Sequence, residues 1–81
     1  MTNRQKFIAC LTTAYQHLFT TSDYTFASAR TTPEDLAMKM ADGIYSGGAS
    51  IEGEGIKRAC KACAIKQTFK GVRAFFDGGA A

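Results

Sequence analysis

Apolar residues recur along this chain at three- and four-residue steps. Phe7, Ile8, Leu11, Ala14, Tyr15, Leu18 and Phe19 form one such stripe, the pattern of an amphipathic helix with one face turned to a core. Thr2 followed by Gln5 has the spacing of a capping box, so a first helix is predicted over about residues 3–20. The stretch T-T-S-D-Y-T-F-A-S-A-R-T-T-P has no clear period and is rich in Ser and Thr. It reads as a loop, with Tyr24 and Phe26 able to fold back onto the core. Thr32 caps a second helix, Pro33 occupies its first position, and Glu34 and Asp35 complement its positive end. Leu36, Ala37, Met40, Ala41 and Ile44 make its apolar stripe, with Tyr45 beside it, and Gly47-Gly48 ends it.

Ser50 reads as the cap of a third helix with Glu52 and Glu54 in its first turn. Gly53 and Gly55 weaken that turn by roughly 1 kcal/mol each relative to Ala. Ile56, Ala59, Cys60 and Cys63 form its stripe, and Ala64-Ile65-Lys66 reads as a turn. A fourth helix follows from about Gln67, with Phe69, Val72, Phe75 and Phe76 inward, and Asp77-Gly78-Gly79 stops it. Nothing alternates with the period of a strand. The expected fold is all-α: a small bundle of about four short helices, the last two close-coupled.

The chain has 81 residues, 46% of them hydrophobic and 21% charged. It is too apolar for intrinsic disorder and sized for one domain, residues 1–81. No apolar run approaches the ~18 residues of a membrane span, and the amphipathic start lacks the apolar core of a signal peptide. The expectation is a cytoplasmic protein with no membrane partner, in the bacterial host's cytoplasm if phage-encoded.

Three cysteines is an odd number, which argues against a secreted disulfide framework. Cys60 and Cys63 stand at C-x-x-C spacing. A thioredoxin-like site would place that pair at a helix start after a strand, and here it lies inside a predicted helix with no strand before it. A structural zinc site could draw on Cys10, His17, Cys60 and Cys63, because residues seven apart fall on one helix face. The third reading takes all three cysteines as small buried hydrophobes that let two helices approach closely. Packing suits the stripe best, so neither metal nor cofactor is expected.

Charge changes the picture more. The formal net charge is +3; residues 1–50 balance, and the whole excess falls in residues 51–81. Between Lys57 and Arg73 there are six basic residues and no acidic one. Lys57 and Lys61 lie opposite the apolar stripe of the third helix, with Arg58 at their flank. Lys66, Lys70 and Arg73 are spaced to share one face, and Gln67 and Thr68 stand at a helix start where free N–H groups favour anions. These eight residues are the candidate surface for a partner of negative potential, nucleic acid or acidic protein.

No G-x-S-x-G, phosphate-binding G-K-[ST] loop or H-E-x-x-H is present. Gly53-Glu54-Gly55 lacks a third glycine and a preceding strand, and Glu52 and Glu54 fall on different helix sides. The expectation is a binding protein and not an enzyme.

The segment Gly55 to Phe76 resembles the helix-turn-helix family. Ala59-Cys60 stand at its apolar and small positions, Cys63 at its next apolar position, and Ala64-Ile65 at the Gly-Val of the turn. It departs in that Ala64 replaces the turn glycine, and Phe69 and Val72 come one residue early. This resemblance implies a DNA-binding regulator, a homodimer with Tyr24, Phe26 and the flank of the first helix as dimer surface. The run P-E-D-L-A-M-K-M-A-D-G-I, then G-I-K-R-A-C-K-A-C-A-I-K-Q-T-F-K-G-V, looks like the small helical proteins of phages and mobile elements, among which anti-CRISPR proteins are prominent. That resemblance implies a non-catalytic inhibitor docking on a bacterial protein or nucleoprotein complex, a Cas effector for example, through its basic face.

Overall fold

In the computed structural model, residues 1–21 and 31–78 are described. Four helices follow in order: α1 (Asn3–Thr21), α2 (Pro33–Ser46), α3 (Glu54–Ala62) and α4 (Phe69–Phe76). The described residues contain no strand. The loop expected around Tyr24 and Phe26 lies outside them.

Local chemistry accounts for the ends of α1 and α2. The Thr2 amide donates to Gln5 Oε1 at 2.8 Å while the Gln5 amide donates to Thr2 Oγ1 at 3.1 Å. That is the reciprocal capping box, satisfying two donors the helix itself cannot. At α2, Thr32 Oγ1 accepts from the Asp35 amide at 3.1 Å, with Pro33 in the first position. Gly47, in the left-handed conformation at φ 83°, closes the far end. The Gly48 and Gly47 amides turn back onto the Gly43 and Ile44 carbonyls, the two bonds of a Schellman motif.

The last two helices begin later than their pattern predicts. Ser50 does not cap α3: its Oγ accepts from the Glu52 amide, and the cap is Gly53, at φ 129°. That conformation is open to glycine and strained for other residues, so the chain turns through 50–53, and Glu52 lies before the helix. The fourth helix starts at Phe69, with Thr68 as its cap, because Gln67 is held outside it.

The long α1 is the spine. Phe7 and Leu11 on α1, Ala37, Ala41 and Ile44 on α2, Ile56, Ala59 and Cys60 on α3, and Val72 on α4 form one buried cluster. Helix α1 packs on all three others, whereas α4 packs on α2 and α1 and makes little direct contact with α3. The expected close coupling of the last two helices is therefore one of connection more than of packing. Phe76 is the joint: its ring meets Phe7 edge-on at 5.3 Å and stacks on Tyr45 at 5.8 Å. An isolated helix of eight residues is not stable in water, so these contacts hold α4.

Gly55 shows why a helix-weakening residue stands in α3. A Cβ there would lie 2.4 Å from Tyr15 Cε1 on α1, so the missing side chain sets the approach of the two helices. In an open helix Gly→Ala gains about 1 kcal/mol. Here Gly55→Ala is expected to destabilise by about 1–3 kcal/mol through overpacking. A thermal melt followed by circular dichroism checks the sign.

Candidate functional site

The chemistry-bearing third of the chain starts at α3, whose buried stripe (Gly55, Ile56, Ala59, Cys60) forces its remaining positions outward. Lys57, Arg58 and Lys61 are exposed. Arg58 Nε donates to Glu54 Oε1 one turn earlier at 3.3 Å, an exposed pair worth a few tenths of a kcal/mol. The other ion pair found among the described residues, Arg4 with Asp42 at 2.6 Å, lies between α1 and α2. Lys57, Lys61, Lys66 and Lys70 are all exposed, and none of them takes part in those pairs. No acidic residue lies between Lys57 and Lys70 in sequence.

The segment joining α3 to α4 is built on Ala64, a non-glycine residue at φ 57°. The Ala64 amide donates to the Lys61 carbonyl and the Ile65 amide to the Cys60 carbonyl, a second Schellman motif, with Cys60 in the core and Ile65 packed against it. Left-handed backbone costs an alanine about 1 kcal/mol. Ala64→Gly is expected to stabilise the fold by about 0.5–1 kcal/mol, roughly 2–8 °C in Tm. A melt of the purified variant measures it.

Besides Arg58, three of the eight expected site residues make hydrogen bonds within the chain. Gln67 Nε2 donates to the Ile51 carbonyl at 2.9 Å, tying the entry of α4 to the segment before α3. Thr68 Oγ1 accepts from the Gly71 amide at 2.9 Å as the helix cap. Arg73 is exposed and is also tied to α2. Its Nε donates to the Tyr45 carbonyl at 2.7 Å, on the last turn of α2. Lys66 lies in the connection before α4, in the stretch read as a turn. The exposed lysines are thus distributed as Lys57 and Lys61 on α3, Lys66 between the helices and Lys70 on α4.

The end of α4 makes further polar contacts with α2 and α1. Tyr45 Oη donates to Asp77 Oδ1 at 2.6 Å, and Asn3 Nδ2 donates to the Phe75 carbonyl at 2.8 Å. The Asp77 carboxylate raises the Tyr45 phenol above its ordinary pKa by hydrogen bonding and charge. The bond is therefore present at neutral pH and is lost as alkali titrates the phenol. Arg73→Glu would remove the bond to the Tyr45 carbonyl and set a carboxylate against it. A loss of about 1–2 kcal/mol is expected, read from the urea midpoint.

The cysteines are all free thiols; Cys60 is buried, and Cys10 and Cys63 are half-buried. Burial first, and then Cys10, push the Cys63 thiol up to about 12, with Lys6 opposing. The influence that C-x-x-C spacing does not show is that of Cys10, on α1, upon Cys63. Among the described residues no group of three or more His, Cys, Asp or Glu is arranged to hold a metal ion. Cys10 and His17 lie two turns apart on α1, about 10 Å along its axis. No helix among the described residues is long and apolar enough to cross a membrane.

No protein-family model matches this chain, and neither a curated protein nor a solved structure matches it.

Proposed function

We propose that this protein is a non-enzymatic docking protein, an inhibitor of the anti-CRISPR type that binds a bacterial defence nucleoprotein complex through Lys57, Arg58, Lys61, Lys66 and Lys70. The observation that carries the reading is the acid-free run of exposed lysines on the α3–α4 segment. A solvated face alone needs no such exclusion of carboxylates, since mixed charges keep a small domain soluble. A surface that meets phosphates or an acidic protein patch does need it.

The alternative is a helix-turn-helix DNA-binding regulator. Ala64 in the left-handed conformation, at the place of the motif's turn glycine, favours it. Against it stand the engagement of Gln67 and Thr68, which would read bases at the start of α4, and the packing of α4 on α2 and not on α3. Fluorescence anisotropy with a random-sequence duplex at low and physiological salt separates the two. The inhibitor is expected to bind free duplex weakly or not at all at physiological salt, and to be captured by an assembled RNA-guided nuclease. Tight duplex binding with a steep salt slope, by a dimer, would instead identify the regulator.

A further inference from the structure

The connection from α3 to α4, residues 63–68, reads C-A-I-K-Q-T and holds neither glycine nor proline. The two residue types that most often end a helix are thus absent from it, and Ala, Lys and Gln are among the better helix formers. The α3 ladder runs on into this segment: the Cys63 amide still donates to the Ala59 carbonyl, four residues back. It stops at Ala64, whose left-handed φ of 57° turns the chain. Alanine is the best helix former and is disfavoured in that conformation. The turn is therefore imposed on the segment by the docking of α4 and not by local preference.

A second observation marks the same connection as strained. A Cβ on Gly71 would lie 2.8 Å from the Lys66 carbonyl oxygen and 3.0 Å from Thr68 Oγ1. In an uninterrupted helix the carbonyls line up along the axis and leave room for every Cβ, so this crowding belongs to the turned form. Meanwhile the seat of α4 is made by other elements. Phe7 and Asn3 of α1 and Tyr45 of α2 hold Phe76, Phe75, Arg73 and Asp77, and α4 makes little direct contact with α3. That seat is complete without the α3 to which α4 is tethered, and it is the same on every copy of the chain.

We propose that two copies of this chain exchange α4: the connection straightens, α3 and α4 fuse into one helix, and each α4 takes the seat on the other copy. The contacts of α4 with α1 and α2 are re-formed between copies. What opening gives up is the turn itself, namely the Ile65 bond to the Cys60 carbonyl, the Thr68 cap and the Gln67 bond to the Ile51 carbonyl. What it gains is the continued helical ladder and release of Ala64 from its left-handed conformation. Short hinges under strain favour exchange of this kind. The exchange rests on neither reading of the function.

The test refolds the full chain from urea over a range of concentrations and reads the mass by light scattering after gel filtration. The expected result is a dimer whose share rises with the refolding concentration. Co-refolding isotope-labelled with unlabelled chains is expected to give Phe7–Phe76 ring cross-peaks between labelled and unlabelled copies. Ala64→Gly relieves the turned form and weakens the fused helix at two hinges per dimer, so dimer association falls at least ~100-fold. Gly71→Ala crowds the turned form alone and raises the dimer share. A chain that stays monomeric at every concentration would overturn the proposal. So would a dimer whose Phe7–Phe76 contact stays within one copy, or one that Ala64→Gly leaves undiminished.

Discussion

If the proposed docking function holds, replacing Lys57, Lys61, Lys66 and Lys70 together by glutamate is expected to lower affinity for the proposed nucleoprotein partner at least ~100-fold while leaving helicity unchanged. For a partner that presents phosphates, each lysine that meets one contributes close to one unit to the salt slope. Four such contacts alone correspond to a roughly 100-fold affinity change between 50 and 200 mM salt. Each reversal also removes two units of charge, taking the formal net charge from +3 to about −5, so attraction becomes repulsion. The fold should tolerate the change because all four side chains are exposed and none is in an ion pair found among the described residues. Arg73 is left out of the set because its bond to the Tyr45 carbonyl holds the fold. The measurement is capture of an assembled RNA-guided nuclease on the immobilised protein, with a circular dichroism spectrum of the variant beside it. Retained capture with native helicity would end the basic-face reading.

Phe7→Ala is expected to abolish the cooperative thermal transition. Phe7 is fully buried at the centre of the cluster and meets Phe76 edge-on. Truncating such a ring costs about 3–5 kcal/mol, which is as much as a single core of this size provides. The loss spreads, because Phe76 also stacks on Tyr45 and these rings hold the short α4. Met38→Ala is the matched control. That side chain is 48% exposed, and surface truncations of this kind change stability by less than about 0.5 kcal/mol. A sigmoidal melt retained in Phe7→Ala would show that the core does not depend on that ring.

The features legible from the chain are those whose partners lie within one turn. The Thr2–Gln5 capping box, the Thr32 cap with Pro33, the glycine stop at Gly47 and the inward stripes of α1 and α2 all depend on neighbours three or four positions away. Periodicity and cap chemistry therefore find them. The outward placement of Lys57 and Lys61 follows in the same way, as the complement of the stripe from Ile56 to Cys60. Thr68 was legible as part of a helix start, and its role as a cap needs only Gly71 beside it.

Other features depend on residues far along the chain, and no local pattern carries them. Gln67 finds its acceptor at Ile51 and Arg73 finds its own at Tyr45. Spacing pairs Cys63 with Cys60, whereas the fold sets it under the influence of Cys10 on α1 as well. Gly55 looks like a weakness of α3 until Tyr15 of α1 is seen against it. The all-α class, the helix faces and the charge excess are thus written in short-range chemistry. Which polar groups the fold consumes, and which it leaves on the surface, was decided only when the packing of α2, α3 and α4 on α1 brought distant side chains within bonding distance.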